Sequence, residues 1–324
     1  MKTTNPVPIA LILGITGSLG AELARKLAAR GWQVRALHRD PASVQHLHPQ
    51  AEWRRGDAME RADVVAAAQG ASLIVHGVNP PGYHNWGGLV LPMIDNTIAA
   101  ARASGARIVL PGTVYNFGDS AFPTLREESP QEPHTRKGAI RVELERRLQA
   151  ASENGVRVLI VRAGDFFGPG MTGNSWFSAG LLKPNQPVTA VQYPGERGVG
   201  HQWAYLPDVA ETMLRLLELG ERLPAFARYH MNGHWDDDGS KMVASISRVI
   251  GKPDLKVSRL PWWLLRLVSP FNETLREMME MRYLWKKPIR MDNAQLVHSL
   301  GAEPHTPWDT AVKTTLASMG CLPV

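Results

Sequence analysis

The run Ile9-Ala10-Leu11-Ile12-Leu13-Gly14-Ile15-Thr16-Gly17-Ser18-Leu19-Gly20 decides how the rest of the chain is read. Its five opening residues are all apolar, as in a strand covered on both faces. Three glycines follow directly. Leu23, Ala24, Leu27 and Ala28 then recur at helical spacing until Gly31, which ends the helix. A strand, a glycine turn and a helix N-terminus together offer unpaired N–H donors to an anion. Gly14 permits the tight turn, Gly17 lets a pyrophosphate approach the backbone, and Gly20 lets the helix pack on the strand. Thr16 and Ser18 add hydroxyls, and Leu19 completes the turn. A glycine turn that merely joins strand to helix is the plainer alternative, but its place after the first strand favours a dinucleotide site.

Further apolar runs at Gln33 to Leu37, Leu73 to Val78, Arg107 to Leu110 and Val156 to Val161, with a weaker one at Glu52 to Arg55, alternate with helical patterns. Six strands in such βα units predict an α/β fold, a Rossmann-type doubly wound parallel sheet. After Gly168 the alternation gives way to Pro- and Gly-rich loops, with helical segments near Pro207 to Glu218 and Gly239 to Ile250. We therefore expect residues 1–168 to form mainly the dinucleotide-binding domain. Residues 169–324 are expected to form mainly a smaller C-terminal substrate lobe, partly interleaved with the sheet.

The 324 residues are 44% hydrophobic and 20% charged, which excludes a disordered or fibrous chain. The net charge of +6 is spread over scattered Lys and Arg with no run of five, so no nucleic-acid partner is expected. Cys321 is the sole cysteine, which excludes an internal disulfide and a zinc site built from several thiolates, and fits a reducing cytoplasm. The stretch Pro8 to Gly20 lacks the basic start of a signal peptide. Elsewhere the most apolar run, Pro261 to Phe271, is too short to span a bilayer and is interrupted by Arg266, so no membrane anchor is expected.

The second strand ends Leu37-His38-Arg39-Asp40. An acid at its tip would hold the ribose hydroxyls of NAD(H), and position 38 carries none. Arg39 instead offers a charged fork suited to a 2′-phosphate, so NADP(H) is favoured over NAD(H). Asp40 argues the other way, and a solvated surface arginine is the plain alternative.

With these residues the chain resembles the extended or atypical short-chain dehydrogenase/reductases, the NAD-dependent epimerase/dehydratase group, over nearly its whole length. The resemblance makes Asp57 and Ala58, after the third strand, adenine contacts, and Gly77, Val78 and Asn79, after the fourth, contacts near the cofactor ribose. Pro111-Gly112-Thr113-Val114-Tyr115 resembles the family's Ser-rich stretch, with Thr113 nearest the catalytic hydroxyl. Arg162 to Pro169 resembles R-x-x-N-x-Y-G-P, and Trp203 to Ala210 resembles the V-x-D-V-A segment. Leu300-Gly301 to Pro307 resembles the family's usual C-terminal ending, and the family often pairs as homodimers.

One departure stands out. The family's Tyr-x-x-x-Lys pair, which handles the proton and holds the nicotinamide ribose, falls here on Lys137-Gly138-Ala139-Ile140-Arg141, with Glu145 in the usual glutamate place. Lys137, Arg141 and Glu145 share one helix face. As a site, Arg141 would hold the ribose, and Lys137 would stabilise an oxyanion or donate a proton. As a surface, Arg141 and Glu145 would pair in solvent. Tyr115 is a second proton donor, weighed against core packing. Asp165, in place of the family asparagine, would meet a polar substrate group or act as a base, weighed against a capping role.

His230, His234 and Asp236 crowd together in sequence, yet the resembling family needs no metal and none is expected. Pro80 to Trp86 follows the fourth strand, where its aromatics would wall a pocket or order a loop. These features fit an NADP(H)-dependent oxidoreductase acting on a small carbonyl- or alcohol-type substrate. A cofactor-binding regulator without turnover and a nucleotide-sugar epimerase or dehydratase are the alternatives.

Overall fold

The computed structural model describes residues 7–80, 85–171 and 175–322. The first half runs β1 (Ile9–Leu13), α1 (Ser18–Ala29), β2 (Gln33–His38), α2 (Pro41–Val44), β3 (Glu52–Arg55), α3 (Arg61–Ala67), β4 (Ala71–His76), α4 (Trp86–Ser104) and β5 (Arg107–Gly112). It continues through β6 (Thr124–Leu125), α5 (Arg136–Glu153), β7 (Val158–Arg162) and β8 (Asp165–Phe167). Then come β9 (Ala190–Tyr193), β10 (His201–Tyr205), α6 (Leu206–Leu217), β11 (Phe226–His230), β12 (His234–Asp236), α7 (Lys241–Ile250) and β13 (Lys256–Arg259). The chain closes with α8 (Trp262–Val268), α9 (Glu273–Glu280), β14 (Arg290–Met291), α10 (Ala294–Leu300) and α11 (Trp308–Ser318).

Seven parallel strands form the central sheet in the order β11-β7-β5-β4-β1-β2-β3. This is the doubly wound Rossmann arrangement, and its order reverses between β1 and β4, where such sheets open a ligand crevice at the strands' carboxyl ends. Both faces are covered, which explains the unbroken apolar runs. On β1, Ala10 and Ile12 join one core with Leu23 and Leu27 of α1 and Met213 of α6, while Leu11 and Leu13 join the other with Ile94 of α4 and Leu144 of α5.

Two differences from the expected strands are informative. The apolar run at Leu73 to Val78 overshoots the strand, because Gly77 and Val78 leave β4 to form the crevice turn. The seventh strand, β11, comes from the second half and pairs with β7 at the sheet edge. Its sequence, Phe-Ala-Arg-Tyr-His, carries polar groups because Arg228 donates to the Glu127 carbonyl at 2.7 Å and the His230 N–H donates to the Glu127 carboxylate at 2.7 Å. Those polar positions hide the strand from a hydrophobicity pattern. Three small sheets, β8–β10–β12, β9–β13 and β6–β14, build the remainder. The first two contribute to an aromatic core of Phe167, Phe177, Trp203 and Trp285, closed by α7 and α11, while β6 and β14 join a separate cluster with Phe117 and Leu284.

A buried ion pair joins α5 to the sheet. The Arg162 guanidinium donates to both Glu145 carboxylate oxygens at 2.8 and 2.9 Å, and both side chains are almost wholly inaccessible. Arg162 also donates to the Thr113 carbonyl, to Asn116 Oδ1 at 3.2 Å and to His230 Nε2 at 3.1 Å. Losing one partner strands a desolvated charge. Glu145→Ala is therefore expected to lower unfolding free energy by about 3–5 kcal/mol. Pairing it with Arg162→Met should recover part of that loss in urea titrations, and equal losses in single and double variants would contradict the assignment.

Candidate active site

At the carboxyl ends of the strands lies a cleft of about 260 Å³. Gly17, Ser18, Leu19 and Gly20 of the turn line it together with Gly77, Asn79, Thr113, Tyr115, Arg141 and Asp165.

The glycine turn is shaped by close packing. A Cβ on Gly14, whose φ is +88°, would lie 2.8 Å from the Gly77 carbonyl carbon, and a Cβ on Gly20 would collide with the Gly14 carbonyl oxygen. Gly17 is the least crowded of the three, although a Cβ there would still press on the Gly14 carbonyl oxygen at 3.3 Å. Internal packing thus demands glycine most strictly at Gly14 and Gly20 and less strictly at Gly17, whose backbone stands exposed on the turn where a pyrophosphate needs close approach. The Ser18 hydroxyl is already engaged, donating to the Gly170 carbonyl at 2.8 Å. Thr16 is exposed on the same turn.

The outer cofactor candidates sit along the same edge. Arg39 and Asp40 are exposed beyond the end of β2. Asp57 accepts the Met59 N–H at 3.0 Å, and the Ala58 carbonyl accepts from Asn96 at 3.0 Å, so this turn is held rigidly. Neither lines the cleft, nor do Gly14, Thr16, Arg39 or Val78. Of the loop Pro80 to Trp86, Pro81 to His84 lie outside the described residues. Trp86 is buried, lines the cleft and lies under the Arg141 guanidinium, 4.9 Å from its ring centroid.

The α5 residues separate. Arg141 faces the cleft and donates to Asn79 Oδ1 at 3.3 Å. Glu145 pairs with Arg162 rather than with Arg141. Lys137 is wholly buried and turned toward α9, where its ammonium donates to the Glu277 carbonyl at 2.8 Å and pairs with the Glu277 carboxylate at 3.0 Å. Burial pushes the Lys137 pKa down against the pull of Glu277. Lys137 is not among the cleft-lining residues, whereas Thr113, Tyr115, Arg141 and Asp165 all are. Thr113 donates its hydroxyl to Asn116 at 3.2 Å. Gly138 lets the Tyr115 turn seat against α5, since a Cβ there would strike the Tyr115 carbonyl.

His230, His234 and Asp236 take separate structural partners. His230 meets Arg162, the His234 ring nitrogen meets the Thr306 carbonyl at 2.7 Å, and Asp236 accepts the Lys241 and Met242 backbone N–H groups that start α7. No metal-binding cluster occurs among the described residues.

Sequence reasoning missed His201. Its Nε2 lies 2.9 Å from Asp165 Oδ2, and its ring lies flat on Trp285 with centroids 3.6 Å apart. No motif marks it, because β8 and β10 bring the two residues together only through parallel pairing.

Residues 10–231 match the NAD dependent epimerase/dehydratase family model. The chain belongs to that family. The family is NAD dependent, so membership supports a nicotinamide cofactor. Among curated relatives, the dTDP-6-deoxy-L-talose 4-dehydrogenase (NAD(P)(+)) of Kitasatospora kifunensis is 28% identical over 186 residues, 53% of this chain and 56% of that one. The chain spans about half the length of the curated relatives it matches. Two solved structures share the fold: a putative epimerase from Burkholderia cenocepacia J2315 and the UDP-glucuronic acid 4-epimerase of Bacillus cereus in complex with NAD. The first has a TM-score of 0.76 at 17% identity, covering 98% of this chain and 99% of that one. The second has a TM-score of 0.74 at 12% identity, covering 96% and 98%. No helix among the described residues is long and apolar enough to cross a membrane.

Two expectations follow. Gly17→Ala should fold with little loss yet weaken dinucleotide binding at least tenfold, whereas Gly20→Ala should lower the melting temperature itself; similar behaviour of the two in thermal and binding assays would refute that distinction. The second concerns acid. Burial holds His76 at about 3 and His234 at about 4, with the charge of Arg141 adding to the effect at His76, and burial keeps His230 well below its ordinary value. Below pH about 6.5 the unfolded chain therefore binds protons that the folded one refuses, so stability is full above that pH and falls toward pH 4. Urea midpoints at pH 7.5 and 5 should show the drop, and a flat profile would contradict it.

Proposed function

We propose that the protein is an NADP(H)-dependent oxidoreductase acting on a carbonyl or secondary alcohol. The observation that carries the reading is one cleft bringing the Gly17–Gly20 turn together with Thr113, Arg141 and Asp165. The exposed backbone at Gly17 fits a dinucleotide pyrophosphate, and the bound cofactor supplies hydride chemistry. Around it, Arg141 presents a cation beside Asn79 where the cofactor ribose would sit, the Thr113 hydroxyl faces the substrate oxygen, and Asp165 supplies a carboxylate for proton exchange. The exposed Arg39 has no hydrogen bond or ion pair among the described residues, which supports recognition of a 2′-phosphate.

A second cavity of about 720 Å³ favours a more particular substrate. It lies between α7 and the β9–β13 sheet, is lined by Arg197, Arg248, Arg259 and Ser258, and borders Tyr193, which packs edge-on against Trp285. Arg197 and Arg259 beside Tyr193 suit an anionic, nucleotide-like arm, while Arg248 is already paired with Asp309 and the acidic Glu196 and Asp238 share the lining. This supports a nucleotide sugar as substrate, with oxidation or epimerisation at the sugar, the chemistry printed in the names of the relatives above.

Fluorescence titration should give tighter binding of NADPH than of NADH. Arg39→Ala should cost NADPH roughly tenfold to a hundredfold in affinity, about 1.5–3 kcal/mol, and leave NADH unchanged. Equal affinities in the wild type would return the cofactor to NAD(H). UDP-glucose should raise the melting temperature, and Arg197→Ala with Arg259→Ala should abolish that rise if the nucleotide-sugar reading holds.

A further inference from the structure

We propose that Asp165 is the residue that exchanges a proton with the substrate, and that His201, clamped by Trp285, is the positioning residue that holds it ready. This rests on the hydride-transfer reading above. The resembling family has a tyrosine at the position that Lys137 occupies here, and Lys137 is engaged with Glu277 of α9 and does not line the cleft. Among the other cleft residues, the Thr113 hydroxyl donates to Asn116, Arg141 stays protonated at any working pH, and Tyr115 is packed against two hydrophobic clusters. Asp165 is the carboxyl that lines the cleft.

The geometry around Asp165 is built. It opens β8, and Trp203 of β10 is its register partner, which sets His201 two residues upstream on the same strand. His201 Nε2 lies 2.9 Å from Asp165 Oδ2, where it donates to the ionised carboxylate, and the two side chains are only 6% and 17% exposed. The imidazole is held on one face and at one edge. It stacks on Trp285 at 3.6 Å with planes 7° apart, and the edge of Trp203 stands at 4.9 Å. A ring so confined cannot turn away, so one carboxylate oxygen is tied and the other is left for the substrate. The other ionisable groups around the pair are Asp236, the cross-strand partner of His201 on β12, and Tyr193 and Tyr283, whose hydroxyls feel the Asp165 charge. Asp236 already accepts two backbone N–H groups, and burial raises both tyrosines far above their ordinary values, so none of them competes for the proton.

In the oxidising direction the substrate hydroxyl O–H bond breaks and its proton passes to Asp165. A bound oxidised nicotinamide would take the carbinol hydrogen with its electron pair as the C=O bond forms. Reduction runs the same steps backward, with Asp165 returning the proton to the new alcohol oxygen.

The test uses the full chain with NADPH and 9,10-phenanthrenequinone as a carbonyl probe, with UDP-glucose and NADP⁺ in the oxidising direction. Asp165→Asn is expected to lower kcat on the order of 10²–10⁴-fold with the NADPH Kd altered less than twofold. His201→Phe should lower kcat and shift the pH profile of kcat, while His201→Gln, which keeps an N–H donor, should restore most of both. A merely structural His201 would lower melting temperature and kcat without moving the profile, and that result overturns the positioning role. Wild-type kcat in Asp165→Asn overturns the catalytic one. A wild-type protein that binds NADPH yet turns over neither probe removes the hydride-transfer reading and this proposal with it, so the two failures are distinguishable.

Discussion

The pairing of Arg162 with Glu145 is the constraint on which the site depends. Taking two charges out of water costs several kcal/mol per ion, and only bidentate geometry with every remaining donor satisfied offsets that cost. Arg162 meets the condition by reaching Glu145, the Thr113 carbonyl, Asn116 and His230 at once. Those partners belong to α5, to the end of β5, to the turn after it and to β11. One guanidinium therefore fixes the height of the helix that carries Arg141 against the strand end that carries Thr113, and the cleft takes its shape from that registry.

The same helix shows how a shared face can serve several purposes. Lys137, Arg141 and Glu145 are four residues apart, but 3.6 residues make a turn, so each step rotates the side chain by about 40°. Across eight residues the stripe turns by about 80°, enough for its ends to meet different neighbours. Lys137 points to Glu277 on α9, Arg141 to the cleft beside Asn79 and Trp86, and Glu145 down to Arg162. A lysine where the family has its tyrosine thus joins α5 to α9, and the electrostatic logic is that of a closed ion cluster, with Arg136 and Glu280 completing it.

Buried histidines support this framework as neutral connectors. His76 meets Thr97 beneath the crevice, His230 accepts from Arg162, and His234 meets Thr306 while stacking on His305. Desolvation keeps each uncharged, with the Arg162 charge helping at His230 and the Thr306 carbonyl opposing it at His234. His201 differs in its partner, a carboxylate that borders the cleft, and in the indole that holds its ring flat.

By itself the sequence determined the features that are local. β1, the glycine turn and α1 are contiguous, and each glycine answers a backbone requirement within a few residues or at the neighbouring strand end, so periodicity and turn chemistry were enough to read them. The parallel sheet followed from repeated βα units, and Thr113, Tyr115, Arg141 and Asp165 followed from a family pattern whose spacing survives where two of its residue types do not. Only the tertiary structure decided what depends on distant chain segments meeting. β11 joins the sheet although its polar residues disguise it, because they bond to Glu127, about a hundred residues away. Lys137 meets Glu277 across 140 positions, and His201 meets Asp165 across 36. Side-chain chemistry announces that such groups need partners, but the strand order and packing of helices choose which partner, and no spacing along the chain encodes that choice.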